Sequence, residues 1–210
     1  MNPNDLAVYF IMGTENCETD PLNVLEDALQ AGITMFQFRE KGPRALKGEK
    51  YEEFARACQR LCKHYHVPFI VNDDVELALK LQADGIHVGQ KDMALVNIRE
   101  QFKGKIIGVS VHNEQEMSAA VLNGADYVGI GPIFETTSKP DAEPPTGVSF
   151  IKEIRNKYPN YPIVAIGGIT TENSSEIIQA GADGVAVISA ICQSSNRRET
   201  VNQLKIIKNY

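Results

Sequence analysis

The chain has 210 residues, of which 43% are hydrophobic and 23% are charged, and its net charge is −6. This length suits one α/β barrel or two small domains, and it is enough to bury a sizeable core. The negative charge argues against a broad nucleic-acid-binding surface. No apolar run is long enough to cross a bilayer, and residues 1–5 lack the features of a signal peptide. We therefore expect a cytoplasmic protein that binds neither nucleic acid nor membrane.

Eight short, apolar, β-branched segments are predicted to be strands buried on both faces. In chain order they are residues 7–12, 35–38, 69–71, 86–88, 106–109, 127–130, 163–166 and 185–188. Helical segments alternate with them, at residues 22–31, 51–65, 75–82, 94–102, 114–122, 150–158, 175–180 and 199–208.

This alternation predicts an α/β fold made of repeated units. A joint recurs in which a helical stretch ends, a Gly or Asp follows and an apolar strand begins, at residues 30–33, 82–86, 123–128 and 179–185. Gly just past a helix suits the left-handed C-cap conformation. The compact solution is a single (β/α)8 TIM barrel that forms one catalytic domain over residues 1–210. A doubly wound open sheet is the alternative, because a strand count cannot establish closure.

The cysteines are too unevenly spaced for a disulfide framework. They are Cys17, Cys58, Cys62 and Cys192. A zinc site formed by Cys58 and Cys62 with His64 and His66 is conceivable, but no second ligand pair follows at zinc-finger spacing. Reduced, partly buried thiols are the better interpretation.

Carboxylates follow the predicted third and fourth strands. Asp73 comes after one strand and Asp92 after the next. Strand-to-helix loops build the active-site face of such barrels, so we expect both side chains at one mouth. Two such carboxylates suit Mg²⁺, which takes oxygen ligands and is often completed by substrate phosphates. For a single carboxylate, a helix N-cap is the alternative. Two long loops, at residues 40–50 and 131–148, open at the same end.

Polar side chains alternate at the end of the second predicted strand. Gln37, Arg39 and Lys41 should face one side, with Phe38 on the other. A charged residue that points into a barrel mouth is costly unless it meets an anion. The alternative is a surface edge with solvated charges.

The loops after the seventh and eighth strands form the common phosphate site of these barrels. Gly167 and Gly168 follow strand seven and let a bare backbone approach a ligand. Ser189 follows strand eight. The chain therefore predicts two anion subsites. One is metal-assisted and the other is made largely of backbone groups. The metal-assisted subsite is flanked by Arg39, Lys41, Asn72 and Lys139, and the backbone subsite is formed by Gly168, Ile188 and Ser189.

Nucleophilic catalysis is a weak alternative. Ser110 and His112 could belong to a triad with an Asp, but no nucleophile elbow surrounds Ser110. His87, in the fourth strand, is better interpreted as a packed, hydrogen-bonded ring.

Seven motifs, in order over nearly the whole chain, resemble those of thiamine-phosphate synthases. They are QFREK at 37–41, VNDD at 71–74, GQKD at 89–92, GVSVH at 108–112, GPIFETTSK at 131–139, IGGI at 166–169 and VISAI at 187–191. The resemblance implies a (β/α)8 transferase that joins an aminopyrimidine methyl diphosphate to hydroxyethylthiazole phosphate. The products would be thiamine phosphate and pyrophosphate. The implied reaction is dissociative and needs no protein nucleophile.

The resemblance also implies roles for individual residues. Asp73 and Asp92 would hold Mg²⁺. The pyrimidine diphosphate would be bound by Gln37, Phe38, Arg39, Glu40, Lys41, Asn72, Ser110 and Lys139, of which Arg39, Lys41, Ser110 and Lys139 would be catalytic. The thiazole phosphate would be bound by Thr136, Thr137, Ser138, Gly168, Ile188 and Ser189. Ser138 departs from the Thr that is common in the family, although the hydroxyl is kept.

Two other functions stay open at this point. A thiazole tautomerase would share the barrel and the thiazole phosphate site, but it would not need the full diphosphate and metal set. A phosphate-binding regulator without turnover would release no pyrophosphate. The partners implied are phosphorylated small molecules, and a homo-oligomer also stays open.

Overall fold

A closed ring of eight parallel strands forms the centre of the computed structural model, which describes residues 1–89, 95–138 and 143–205. The strands pair in chain order, and β1 closes on β8 through Val8 and Val185. The TIM-barrel prediction is confirmed, and the open sheet is excluded. The strands are β1 (Val8–Met12), β2 (Met35–Phe38), β3 (Phe69–Asn72), β4 (Gly85–Val88), β5 (Ile106–Val111), β6 (Tyr127–Ile130), β7 (Ile163–Ile166) and β8 (Gly184–Val187).

Helices connect the strands and surround the ring. The α-helices are α1 (Pro21–Ala31), α2 (Gly48–His64), α3 (Val75–Lys80), α4 (Leu95–Gln101), α5 (Glu114–Leu122), α6 (Gly147–Lys157), α7 (Ser174–Gln179), α8 (Ser189–Cys192) and α9 (Arg197–Leu204). Two 3-10 helices, Pro3–Leu6 and Thr14–Asn16, lie near the N-terminus. Helix α8 was not predicted, and residues 206–208 of the last predicted helix lie outside the described part of the chain. None of the described helices is both long and apolar enough to span a membrane.

Alternation along β2 sorts its side chains between two packed regions. Phe38 packs between barrel and helices, with ring centroids 5.4 Å from Tyr51 and 5.6 Å from Phe54 of α2. Gln37 points the other way, into the barrel, where its Nε2 donates to the Tyr9 hydroxyl at 2.8 Å. Because successive side chains of a strand point to opposite faces, the polar Gln37 lies inside the ring and the apolar Phe38 lies outside it.

The recurring joint has a structural cause at the N-terminal end of the barrel. The side chain of the residue just before each even-numbered strand accepts a hydrogen bond. The donor is a backbone N–H at the start of the odd-numbered strand that precedes it in the chain. The four bonds are Val8 to Thr34 at 3.0 Å, Phe69 to Asp84 at 2.9 Å, Ile107 to Asp126 at 2.8 Å and Ile163 to Asp183 at 2.9 Å. These bonds tie neighbouring strands together in pairs, away from the mouth of the barrel.

The thiols are free, as the sequence predicted. Cys58 and Cys62 are buried in α2, and burial raises the pKa of both thiols. His64 and His66 are exposed. This separation of buried sulfur from exposed imidazole does not support the zinc alternative.

Candidate active site

A cavity of about 340 Å³ opens at the carboxyl ends of the strands. Among the residues that line it are Arg39, Lys41, Asn72, Asp73, His87, Gly89, Ser110, His112, Glu116, Thr136, Ser138, Glu143, Gly167, Gly168, Ile188 and Ser189. Ten of the predicted site residues are in this set. Asp92 and Lys139 lie outside the described residues.

Cationic side chains from the β2 end face this cavity. Arg39 is only 8% exposed, and its backbone N–H donates to the Met12 carbonyl at 2.9 Å, which extends the pairing of β1 with β2. Lys41 is about half exposed and donates to Oδ2 of Asp73. A buried guanidinium at a barrel mouth suits an anionic ligand, because guanidinium binds phosphate through paired donors.

Asp73 is held in an uncommon backbone conformation. Its φ is +59°, a left-handed value that is rare for residues other than Gly. Its N–H donates to the His87 carbonyl at 2.9 Å, and the Asn72 amide donates to its Oδ2 at 2.6 Å. The turn thus aims the carboxylate at the cavity, where it lies beside Lys41.

Asp74, the next residue, has a different place. Its Oδ1 accepts from the Leu77 backbone N–H at 2.8 Å, so it caps α3. Its Oδ2 accepts from the Tyr51 hydroxyl at 3.0 Å. Desolvation, followed by the charge of Asp74, raises the pKa of that tyrosine. The helix N-cap alternative therefore holds for Asp74 but not for Asp73.

Three of the residues predicted to bind the diphosphate lie away from the cavity lining. Gln37 is buried beneath the cavity floor and Phe38 in the helix layer. The Glu40 carboxylate accepts from the backbone N–H of Thr14 at 2.7 Å and of Leu46 at 2.8 Å. Glu40 therefore braces the loops around the mouth.

Close backbone packing shapes the opposite side of the cavity. Gly167 and Gly168 have φ values of +99° and +63°. A Cβ at Gly168 would lie 2.5 Å from the Glu135 carbonyl oxygen, so no side chain fits there. Asn173 fixes this turn by donating to the Gly168 carbonyl at 2.9 Å.

The loop after β6 is attached to this glycine turn. Phe134 N–H donates to the Gly167 carbonyl at 3.1 Å, and Thr136 Oγ1 accepts from the Ser138 N–H at 3.2 Å. Thr136 and Ser138 line the cavity, whereas Thr137 is exposed and is not among the lining residues.

Helix α8 completes this side. Its N-cap, Ile188, offers no side-chain hydrogen bond to the first turn. The first N–H groups of a helix have no intrahelical acceptor, so they can bind an anion. Ser189 opens the helix and lines the cavity.

The floor of the cavity is polar. The His87 Nε2 lies 2.9 Å from Ser110 Oγ, and its Nδ1 lies 3.0 Å from the Tyr127 hydroxyl. His112 instead pairs with Glu116, 2.9 Å away. Ser110 is therefore bonded to His87 and not to His112, and the weak alternative of a triad built on Ser110 and His112 is not supported. His87 is packed and hydrogen-bonded, as predicted.

Sequence reasoning missed Glu116 and Glu143 as cavity residues. Glu116 lies in the first turn of α5, one helical turn after His112, and this spacing is a signal that could have paired them. Glu143 has no local signal, because it enters the lining from a polar loop.

Fold and cavity together define a (β/α)8 barrel enzyme with its site at the strand carboxyl ends. A family model described as thiamine monophosphate synthase matches residues 8–191. A thiamine-phosphate synthase of Lysinibacillus sphaericus is 58% identical over 206 residues, 98% of this chain and 97% of that protein. One from Bacillus cereus is 54% identical over 199 residues, 95% of this chain and 89% of that protein. A solved thiamine phosphate pyrophosphorylase from Pyrococcus furiosus has a TM-score of 0.85 at 32% identity, covering 97% of this chain and 95% of that chain.

The chain therefore belongs to the thiamine monophosphate synthase family and is a transferase of thiamine biosynthesis. The predicted family, the thiamine-phosphate synthase function and the transferase class are confirmed.

Proposed function

We propose that the enzyme forms thiamine phosphate by a dissociative, Mg²⁺-assisted substitution inside one cavity with two anion subsites. The bond between the pyrimidine methylene carbon and the pyrophosphate oxygen breaks first, and the electron pair leaves with the oxygen. The thiazole nitrogen then forms a bond to the resulting pyrimidine-methyl cation. No protein nucleophile is needed for either step.

The diphosphate is assigned to the side where the β2 and β3 ends meet. Arg39 and Lys41 supply positive charge there, and Asn72 supplies an amide donor. Charge grows on the leaving oxygens during bond breaking, so preorganised cations stabilise the transition state more than the bound substrate. Lys139 is assigned to the same anion. Ser110 and Gln37 are assigned to the pyrimidine ring. Ser110 lines the cavity, and Gln37 is buried beneath the cavity floor.

Asp73 fits a divalent metal. Its carboxylate already attracts one cationic group, Lys41, and oxygen is the ligand type that Mg²⁺ prefers. We assign Asp73 and Asp92 to the ion. When bound, Mg²⁺ would neutralise charge on the diphosphate oxygens.

The thiazole phosphate is assigned to the glycine turn and the start of α8. A phosphomonoester suits backbone N–H donors, and Gly168 lines the cavity in a turn that is packed too closely to hold a side chain. Thr136, Thr137, Ser138 and Ser189 would add hydroxyl donors. The assignment of two anions to two sides keeps the substrates in line for attack.

Further expectations concern the molecule as a whole. Residues 1–210 are proposed to form one domain, because β1 pairs with β8 and the ring cannot close without both. A cytoplasmic location and phosphorylated small-molecule partners fit this function.

Neither the thiazole tautomerase nor the regulator needs Arg39, Lys41, Asn72 and Asp73 around one cavity.

One observation carries this proposal: the same cavity is lined by both proposed subsites. The diphosphate side contributes Arg39, Lys41, Asn72 and Asp73, and the thiazole phosphate side contributes Gly168 and Ser189. The experiment measures pyrophosphate release and thiamine phosphate together, with both substrates, over a Mg²⁺ titration. We expect equal amounts of the two products and no turnover after removal of divalent ions by a chelator. Full turnover without divalent metal would contradict the metal assignment, and product without pyrophosphate would contradict the reaction.

A further inference from the structure

Two cysteines that are far apart in the sequence lie side by side where the ring closes. Cys17 follows the short 3-10 helix after β1, and Cys192 ends α8, the helix that follows β8. Because β1 pairs with β8, the segments that follow these two strands are neighbours. The Sγ atoms of Cys17 and Cys192 are 3.8 Å apart, and both thiols are free. The sulfurs are therefore in contact at the end of the barrel that holds the cavity.

The two thiols differ in access and in acidity. Cys17 is partly exposed, whereas Cys192 is only 2% exposed. The hydrogen bond between the sulfurs lowers the pKa of Cys17; burial opposes this, the charge of Arg197 adds to it, and the carboxylates of Glu40 and Asp20 oppose it. The same hydrogen bond, followed by burial, raises the pKa of Cys192. An accessible thiol that ionises first, beside a buried thiol, is typical of a redox-reactive cysteine and its resolving partner.

Cys192 is connected to residues assigned to the thiazole phosphate. Helix α8 has only four residues, and Ser189 lies one turn before Cys192. The Cys192 N–H donates to the Ile188 carbonyl at 3.0 Å. Ile188 and Ser189 both line the cavity. A displacement of Cys192 should therefore shift the start of the helix as well.

The turn that carries Cys17 is tied to the loop after β2. The Gly13 N–H donates to Asn16 Oδ1 at 2.8 Å, and the Cys17 N–H donates to the Thr14 carbonyl at 3.3 Å. The Thr14 N–H donates to the Glu40 carboxylate at 2.7 Å. Sulfurs 3.8 Å apart are not bonded, so a disulfide requires them to approach each other. Because the turn is tied to Glu40, this approach should pull on α8.

We propose that Cys17 and Cys192 form a redox-sensitive site, which peroxides convert to an intramolecular disulfide that weakens binding of the thiazole phosphate. The Cys17 thiolate attacks a peroxide oxygen, so that an S–O bond forms and the O–O bond breaks. The second oxygen leaves as hydroxide and takes up the proton that Cys17 released, which leaves a sulfenic acid on Cys17.

The second step closes the disulfide. Cys192 loses its proton and attacks the Cys17 sulfur, so that the S–S bond forms and the S–O bond breaks. The hydroxyl leaves with that proton as water, and two electrons have passed from the two sulfurs to one peroxide. The kinetic consequence rests on the proposed function, in which α8 binds the thiazole phosphate, whereas the disulfide itself does not.

The first arm of the test follows the bond without activity. The reduced protein is treated with a small excess of hydrogen peroxide and alkylated under denaturing conditions, and its peptides are mapped by mass spectrometry. We expect a Cys17–Cys192 linkage that dithiothreitol reverses. Cys58 and Cys62 are the internal control, because they lie four positions apart in α2 but are buried, so they should stay reduced. Absence of the Cys17–Cys192 linkage, or a Cys58–Cys62 linkage that forms equally fast, would overturn the proposal.

Single variants separate the roles of the two thiols. In Cys192→Ala, peroxide should stop at a sulfenic acid on Cys17, which dimedone traps. In Cys17→Ser, Cys192 should stay reduced, because its thiol is buried. Oxidation of Cys192 in that variant at the wild-type rate would contradict the assignment of Cys17 as the attacking thiol.

The second arm compares the kinetics of the oxidised and the reduced enzyme. Oxidation should raise KM for the thiazole phosphate about 3-fold or more, because a small displacement of a binding group weakens binding. Dithiothreitol should restore the original value, and peroxide-treated Cys17→Ser should keep its kinetics. A complete disulfide with unchanged kinetics would overturn the proposed coupling to the cavity. If oxidation impairs only the use of the pyrimidine diphosphate, the redox site stands and the assignment of the thiazole phosphate to α8 fails instead.

Discussion

Two adjacent carboxylates after β3 have different tasks because their backbones differ. Asp73 has a φ of +59° and turns its carboxylate toward Lys41, whereas Asp74 has a φ of −78° and caps α3. A left-handed conformation costs about 1–3 kcal/mol for a residue other than Gly. Such strain persists where surrounding contacts stabilise the conformation. At Asp73 these contacts are the hydrogen bond that its carboxylate accepts from the Asn72 amide and the one that its N–H donates to the His87 carbonyl.

The pair gives a matched test of the metal assignment. Asp73→Asn should raise the Mg²⁺ concentration for half-maximal activity by about 10-fold or more, because one anionic ligand becomes neutral. Binding of Mn²⁺, followed by electron paramagnetic resonance, should weaken in parallel. Asp74→Asn should leave the metal requirement unchanged and should change stability little, because Asn caps a helix about as well as Asp. If both variants need the same Mg²⁺ as the wild type, Asp73 is not a metal ligand.

Cys17 is expected to be the most reactive thiol. Its sulfur lies 3.8 Å from that of Cys192, and the hydrogen bond between them lowers the pKa of Cys17. Burial raises the pKa of Cys58 and Cys62, so the thiolate that attacks alkylating reagents forms first at Cys17. Iodoacetamide at neutral pH, followed by peptide mass spectrometry, should label Cys17 before the other three. Equal labelling of Cys58 in the folded protein would contradict this.

At the scale of elements, the eight strands were predictable because short apolar, β-branched runs have few other solutions in a buried sheet. Helix α8 was not predictable, since four residues are too short to show a helical period. The recurring joint between helix and strand could be recognised in the sequence, but the hydrogen bonds that explain it could not. The Asp183 carboxylate reaches the Ile163 N–H across 20 positions of sequence, and such partners appear only in the folded chain.

These joints give a stability prediction. The Asp183 side chain is 8% exposed and accepts from both Ile163 N–H and Arg155, at 2.9 and 2.8 Å. Asp183→Ala should lower the free energy of unfolding by about 3 kcal/mol, because the partly buried Arg155 loses its carboxylate partner and a backbone donor loses its acceptor. Asp84→Ala removes the equivalent bond at an exposed site and should cost about 1 kcal/mol.

Urea denaturation checks both joint variants against the wild type. Their Michaelis constants should not change, because the joints lie at the end of the barrel opposite the cavity. Equal stability losses in the two variants would show that the ion pair with Arg155 contributes little.

At the scale of the whole molecule, ring closure is what assembles the site. Strand order brings the β2 and β3 ends next to each other, and the glycine turn after β7 beside α8. The sequence predicted which strand ends would meet, since motifs after parallel strands share one edge. It did not predict the long-range hydrogen bonds that hold the site together. Glu40 bonds to Thr14 across 26 positions, and Tyr9 bonds to Tyr127 across 118 positions.

The central claim is that one cavity divides its two anions between opposite sides. Steady-state kinetics with each substrate varied, in Arg39→Gln and Gly168→Ala, tests it directly, with melting temperatures to confirm folding. Arg39→Gln should lower kcat/KM for the pyrimidine diphosphate about 100-fold and leave KM for the thiazole phosphate within twofold. Gly168→Ala should raise KM for the thiazole phosphate about 10-fold, or ~1.4 kcal/mol, because its methyl group would meet the Glu135 carbonyl. If both variants impair the same substrate, the two-subsite account is wrong.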